Sequence, residues 1–329
     1  MSGEEQKTNT TSGSATGGEA DGAVTAIGDE DVSCIVVTYR TGPPLFECLA
    51  RLLAAQSVRE IIVVNNGNDA AATRSIEAMA RDDPRVRVLT PERNVGFAAG
   101  CNLGAAHARS GYLAFVNPDC LVPADAFAIL VGLLRRRPDA WLCGGRLLNM
   151  DGTEQRGGRR NLLTPWHAFV ELTGVNRLFP NHPHFRPFNR PAQEAEPGVV
   201  EVPTVSGAFM VMPRRCFDAV GGWDDNMFLH VDDADLCIRV LKAGGKVLYC
   251  GNVPVRHHRG TSDAARITIE WHKTRSTSYY FYKHFHDTYP AWVLLSVSVL
   301  LWVRFVVVMV KELPHDVRRL ARRRGDGRA

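Results

Sequence analysis

Three stretches of this 329-residue chain have the residue types and spacing to handle a charged ligand. Asn117-Pro118-Asp119 follows an apolar run and offers one carboxylate, and His230-Val231-Asp232-Asp233-Ala234-Asp235 offers three more where a helical pattern begins. Arg256-His257-His258-Arg259 adds two imidazoles. One of these histidines, Asp119 and a diphosphate would form a mixed nitrogen–oxygen site suited to Mn²⁺ or Mg²⁺. Asp233 is the candidate general base, a role that requires hydrogen-bond reach of an acceptor hydroxyl. Each stretch also has a plainer reading. Asn-Pro-Asp is a common turn, and Asp232 and Asp235 equally complement the dipole of a helix and cap its free N–H groups.

The elements that position these residues follow from apolar patterning. Short β-branched runs at 32–38, 60–64, 86–89 and 112–116 alternate with helical stretches from Pro43 to about Gln56, from about Asp69 to Arg81, and between the third and fourth runs. Strands alternating with helices of about 10 to 15 residues indicate βαβ units and an α/β fold with a mostly parallel sheet. Nearly continuous apolar strands imply cover on both faces. Ligands of such sheets bind at the carboxyl ends of the strands. There the chain places Asn65-Asn66-Gly67-Asn68-Asp69, then Arg93-Asn94-Val95-Gly96-Phe97-Ala98-Ala99-Gly100-Cys101-Asn102, then Asn117-Pro118-Asp119. Small residues in the second loop let backbone approach a ligand at a helix start.

The stretch 149–201 reads as irregular, rich in proline, arginine and aromatic residues, which fits a functional loop or lid. A strand is expected over 205–212, a helix from about Asp232 to Ala243 ended by Gly244-Gly245, and a strand over 246–250. Residues 1–30, rich in Gly, Ser and Thr, read as a disordered tail. Eight scattered cysteines, none in a C-x-x-C pair, fit reduced core residues rather than a disulfide framework or a zinc knuckle. A net charge of +4 gives no ground for nucleic-acid binding. The N-terminus lacks a basic region followed by an apolar run, so a cytoplasmic catalytic part is expected.

Taken in order, Ile-Val-Val-Thr-Tyr (35–39), Val-Val-Asn-Asn-Gly (63–67), Asn-Val-Gly-Phe-Ala-Ala-Gly-Cys-Asn (94–102) and Asn-Pro-Asp (117–119) resemble the family 2 glycosyltransferases of GT-A fold. Ser-Gly-Ala-Phe-Met-Val (206–211), Gly-Gly-Trp-Asp (221–224), Asp-Asp-Ala-Asp-Leu-Cys-Ile-Arg (232–239) and His-His-Arg-Gly-Thr-Ser (257–262) extend the likeness. Within that family the chain is similar to bacterial rhamnosyltransferases acting on N-acetylglucosaminyl-diphospho-polyprenol. The resemblance implies an inverting transfer from a dTDP- or UDP-sugar, best fitted by dTDP-rhamnose, to a lipid-linked or other glycan acceptor. It implies that Thr38 and Tyr39 line the nucleotide pocket, that Asn65 reads the base where relatives carry Asp, and that Asn94, Gly96 and Asn102 border the diphosphate or ribose. Asn117 stands where the metal motif usually begins with an acid, so the metal would rest on Asp119 and His257. Asp232-Asp233 matches an acidic pair whose second member is the base. A sugar nucleotidyltransferase or a non-catalytic scaffold of the same fold are the alternatives. The former fits poorly, because Tyr39-Arg40-Thr41-Gly42-Pro43-Pro44 follows the first strand in place of a basic glycine-rich loop.

On this reading the catalytic domain spans 31–262 and an acceptor-side helix 263–290. An apolar membrane-associated helix (291–313) and a basic tail (314–329) follow. The run 291–310 has membrane-spanning length but is interrupted by Arg304. A single span would carry the arginine tail away from the cytosol, against the positive-inside tendency. A re-entrant or shallow helical hairpin on the cytoplasmic side of the membrane is therefore expected, its tail on anionic headgroups. A buried core helix or a homodimer contact is the alternative.

Overall fold

The computed structural model describes residues 30–179, 182–185, 188 and 198–326, with the backbone alone for residues 183 and 312–326. The expected N-terminal tail before Glu30 and the side chains of the basic tail lie outside the described residues.

The first half is built of βα units: β1 (Val32–Thr38), α1 (Pro43–Ala54), β2 (Val58–Asn65), α2 (Ala70–Asp82), β3 (Val86–Leu89), α3 (Phe97–His107) and β4 (Tyr112–Val116). β5 (Cys120–Leu121), α4 (Ala126–Arg136), β6 (Ala140–Leu148), β7 (Arg159–Arg160), α5 (Pro165–Thr173) and α6 (Val175–Leu178) follow. Then come β8 (Val199–Glu201), β9 (Thr204–Val205), β10 (Phe209–Pro213), α7 (Arg214–Ala219), α8 (Asp232–Lys242), β11 (Lys246–His257), α9 (Arg266–Phe285) and α10 (Ala291–Asp326). The main sheet runs β3-β2-β1-β4-β10-β6-β11-β5, with β8 also paired to β11, and β7 pairs with β9 in a separate ribbon. The four strands of the βα units are mutually parallel. β10 is antiparallel to both its neighbours, β4 and β6.

Every residue of β1 is buried, because helices cover both of its faces. One core cluster carries the inner residues of α1 and α4, and the other those of α3 and α8. α3 lies unusually close to β1. A Cβ on Gly104 would sit 2.5 Å from Ile35 Cγ2, and one on Gly100 2.9 Å from Val37 Cγ1. The close approach leaves the start of α3 at the strand tips. All eight cysteines are buried and unpaired, as reduced core residues should be.

Three expectations change. The strand drawn over 205–212 is broken at 206–208, because the backbone there turns to serve the site. Ser206 N–H donates to Gly158 O, and Gly207 N–H donates to the Asp233 carboxylate. The strand expected to stop at Cys250 continues to His257 through a register shift between Cys250 and Pro254. The apolar C-terminal stretch does not fold back as a hairpin; it forms the single helix α10. Nor is it a core helix, since only 17% of its most apolar window is buried. Leu294, Val297 and Leu301 pack into a third core cluster with Tyr280 and Phe281 of α9, while Trp292, Leu295, Trp302 and Val306 are exposed.

Candidate active site

Asp119 sits in the turn between β4 and β5, and the C-terminal end of β11 pairs with β5, so His257 arrives beside it. His257 Nε2 lies 3.0 Å from Asp119 Oδ1, and Thr261 Oγ1 donates to Asp119 Oδ2 at 3.0 Å. Burial alone would lift the Asp119 carboxyl, but the hydrogen bonds and charge of His257, together with Thr261, hold it below the usual range. His257 Nδ1 is 2.7 Å from Gln155 Oε1, which can only accept, so Gln155 engages Nδ1 and leaves Nε2 as the nitrogen that faces Asp119. Gln155 Nε2 in turn donates to His257 O at 3.2 Å.

Asp119, Cys120 and His257 lie close enough together to be tested as a metal set. The thiol does not fit. Burial, and then the Asp119 charge, push Cys120 well above its ordinary value, and its Sγ donates to Ala208 O at 3.3 Å. The carboxylate and the imidazole fit: both line the same cavity, and their chemistry suits a hard or borderline divalent cation that keeps sites for phosphate oxygens. Asn117 Nδ2 approaches His257 Nε2 at 3.5 Å, so the amide borders this pair from the position where an acid was expected. Between the two histidines the structure separates the roles, since His258 Nε2 faces Glu47 at 3.8 Å.

The acidic triplet begins α8 after two left-handed residues, His230 (φ 66) and Val231 (φ 67). For β-branched Val231 this conformation is costly and persists only where the surroundings enforce it. The turn separates the three acids. Asp233 lines the cavity, where Oδ2 accepts from Gly207 N–H at 3.0 Å and from the Arg160 guanidinium. Asp232 is buried behind it and does not line the cavity; its Oδ1 accepts from Asp233 N–H at 2.9 Å. Burial and the neighbouring Asp233 charge push the Asp232 carboxyl up, which suits a protonated residue better than a second base. Asp235 is fully buried and holds Arg239, Lys283 and His284.

The residues expected around the nucleotide divide in two. Tyr39, Asn94, Gly96 and Asn117 line the cavity. Gly96 is required there, with φ 90 and a would-be Cβ 2.6 Å from Phe228 O. Asn94 Oδ1 closes that loop by accepting from Gly96 N–H at 2.9 Å. Thr38, Asn65 and Asn102 do not line the cavity, because their polar groups are committed to the framework. Thr38 contacts Thr41. Asn65 Oδ1 accepts from Asn68 N–H while its Nδ2 donates to Thr73. Asn102 ties α3 to the 221–225 loop by accepting from Trp223 N–H and donating to Trp223 O. Asn66, one residue beyond the expected base reader, faces the cavity and donates to Gly96 O at 2.9 Å.

Gln155 and Arg160 were absent from the sequence-based site, because both lie in the stretch that read as irregular. The antiparallel pairing of β7 with β9 carries Arg160 to Asp233, and Phe188 lies beneath its guanidinium. The whole cavity measures about 1690 Å³ and reaches from Tyr39 to residues of α10.

Residues 33–195 match the family model described as Glycosyl transferase family 2. A protein of Mycobacterium tuberculosis (strain CDC 1551 / Oshkosh), named N-acetylglucosaminyl-diphospho-decaprenol L-rhamnosyltransferase, is 26% identical over 265 residues, 73% of this chain and 81% of its own. Among solved structures, GalNAc-T7 with UDP, GalNAc and Mn²⁺ superposes with a TM-score of 0.57 at 15% identity, over 80% of this chain and 49% of that one. The mannosyltransferase PcManGT from Pyrobaculum calidifontis, in complex with GDP-Man and Mn²⁺, gives 0.52 at 15% identity, over 89% and 82%. At such identities the two structures establish a common fold.

Proposed function

Given that this chain is a glycosyltransferase of GT-A fold built on a family 2 domain, we propose that it transfers a sugar from a nucleotide-sugar donor to a lipid-linked acceptor with inversion. The donor we favour is dTDP-rhamnose and the acceptor a polyprenyl-diphosphate-linked sugar, as the name of the mycobacterial relative supports. One observation carries the reading: Asp119, His257 and Asp233 line one cavity, although they come from three distant parts of the sequence.

Asp233 accepts the proton of the acceptor hydroxyl, whose oxygen bonds to the anomeric carbon as the bond from that carbon to the diphosphate breaks. The electron pair leaves with the nucleoside diphosphate. A single base facing a leaving diphosphate fits one in-line displacement. Arg160 holds the base in the state described, so the acceptor hydroxyl has to take its place at Oδ2. Asp119 and His257 would hold a divalent cation, Mn²⁺ or Mg²⁺, whose charge offsets that developing on the leaving group. Tyr39, Asn66, Asn94 and Asn117 form the donor side.

The exposed face of α10, with Trp292 70% and Leu295 66% accessible, supports docking on a membrane surface, which we assign to the cytoplasmic side because sugar nucleotides are used there. Replacing Trp292, Leu295 and Trp302 by serine should release the full chain from anionic vesicles in a flotation assay while donor hydrolysis continues.

A panel of dTDP-, UDP- and GDP-sugars, read first by donor hydrolysis and then by transfer to a polyprenyl-diphospho-sugar, tests the assignment. Turnover of dTDP-rhamnose is expected. Transfer at an undiminished rate after Asp233→Asn would sink the mechanism.

A further inference from the structure

Besides the residues assigned to the donor, the same cavity is lined by cations from other elements: Arg177 of α6, Arg259 after β11, Lys273 of α9, and Arg304 and Lys311 of α10. The carboxylates of Glu171 and Asp263 line it as well, and Glu270 is bonded to Arg304 at 2.8 Å. That ion pair explains the charged residue inside an apolar helix. Arg304 faces α9 and the cavity, and the ion pair fixes its guanidinium at the wall.

Lys273 is the informative member. It is half-buried, and its ammonium makes no hydrogen bond or ion pair with any described residue. Burial pushes it below the usual lysine value; Glu270 opposes this, and the charges of Arg304 and Arg259 add to the fall. Glu270 and Glu171 offset part of this charge, but Glu270 is already engaged by Arg304, so an anionic ligand would relieve the remaining excess. α10 also adds hydrocarbon to the lining through Leu300, Val303, Val307 and Val308, on the same helix as Arg304 and Lys311. Val303 and Val307 are 52% and 46% accessible, so this wall reaches the exposed apolar face of the helix. One cavity therefore holds the base, a group of cations and an apolar wall.

We propose that Lys273, Arg304 and Arg259 form the subsite for the diphosphate of an amphiphilic acceptor, with α10 taking its first prenyl units. The inference rests on the transferase reading for the role of Asp233, but the subsite stands on its own geometry. A diphosphate there would place the sugar it carries toward Asp233 and its chain toward the lipid face. Charge-assisted bonds to phosphate oxygens supply affinity, and the short apolar wall orients the tail. Specificity would follow from the mixed lining: a neutral prenyl alcohol leaves the excess positive charge unrelieved, and a soluble diphosphate leaves the apolar wall uncovered.

The test is direct binding of farnesyl diphosphate, with farnesol and inorganic pyrophosphate as controls, to the full-length chain in detergent. Farnesyl diphosphate should bind more tightly than either control, and Lys273→Gln should weaken it about ten-fold, the loss of one charge-assisted contact. Lys273→Arg should restore most of the affinity, and dTDP binding should not change. Arg304→Lys, which keeps a cation for Glu270, provides a second variant and should weaken binding less than Lys273→Gln. Equal binding of farnesol, or an unchanged farnesyl diphosphate affinity in Lys273→Gln, would overturn the subsite. So would equal competition by phosphatidylglycerol micelles, which would mark a general headgroup contact. If farnesyl diphosphate behaves as expected and no sugar nucleotide is turned over, the subsite stands and the donor assignment fails.

Discussion

The proposed donor wall of the cavity, with Tyr39, Asn66, Asn94 and Asn117, hangs from loops that follow β1 to β4. The proposed acceptor wall, with Arg160, Lys273 and Arg304, comes from a two-residue strand and two C-terminal helices. On the first wall each loop is positioned by its own strand, buried in a common sheet. On the second, the two arginines are held by partners far away in sequence, Arg160 by Asp233 and Arg304 by Glu270. The two walls should therefore fail separately, since damage to one leaves the other's supports in place. Asp233 and the 206–208 break stand where they meet.

The largest expected effect lies at that junction. Asp233→Asn should lower the transfer rate by roughly 10²- to 10⁴-fold, while dTDP affinity measured by calorimetry stays near that of the wild type. Equal loss of both would mean that the walls are not separable.

Asp235 sharpens the comparison, because it clamps α8 to α9 through Lys283 at 2.6 Å and His284 at 2.7 Å. Asp235→Asn leaves Arg239 without its charge partner and Lys283 with Asp224 alone, and should cost about 3–5 kcal/mol in denaturant unfolding. Burial would raise this carboxyl, but His284, Arg239 and Lys283 outweigh it and lower it to about 2 from 3.8. Because the folded value is depressed, the contribution is complete above the ordinary aspartate range and disappears as pH falls through about 2. Acid titration of stability should show that window in the wild type and not in the variant.

Gln155→Leu probes the donor side from a distance. Losing the partner of His257 Nδ1 should weaken Mn²⁺ binding about 10- to 100-fold, measured with dTDP present. Asp119 remains in place, so the cation site should be weakened rather than abolished. The smallest effect is expected at Gly104→Ala, where the new methyl group meets Ile35. Overpacking there should cost about 1–3 kcal/mol in thermal unfolding, and should disturb dTDP binding more than farnesyl diphosphate binding.

Local pattern was enough for the donor half. The β-branched runs and their spacing gave β1 to β4 and the crevice at their tips; the loop residues Asn94, Gly96, Asn117 and Asp119 follow from position, and Tyr39 from the family resemblance. Pattern misled where a polar side chain turned inward: Asn65, Thr38 and Asn102 have the residue types of a binding loop, but their hydrogen bonds serve the frame. Periodicity also could not show that β10 begins only at Phe209, since Ser206, Gly207 and Ala208 are apolar or small and continue the run. Two core elements, α4 and β6, lay outside those drawn from sequence.

The sequence by itself determined the α/β class, the glycosyltransferase character and the reduced cysteines, and it brought Asp119 together with one of two adjacent histidines. Each follows from local residue type, or from motifs kept in order. Only the tertiary structure decided that Gln155 orients His257 across 102 residues, that Arg160 covers Asp233, and that Arg304 turns inward to Glu270. Such contacts depend on which distant backbones the packing brings together, and no local spacing encodes them. The continuation of one cavity from the strand tips to α10 was settled the same way, by the packing of α9 and α10 against the sheet domain.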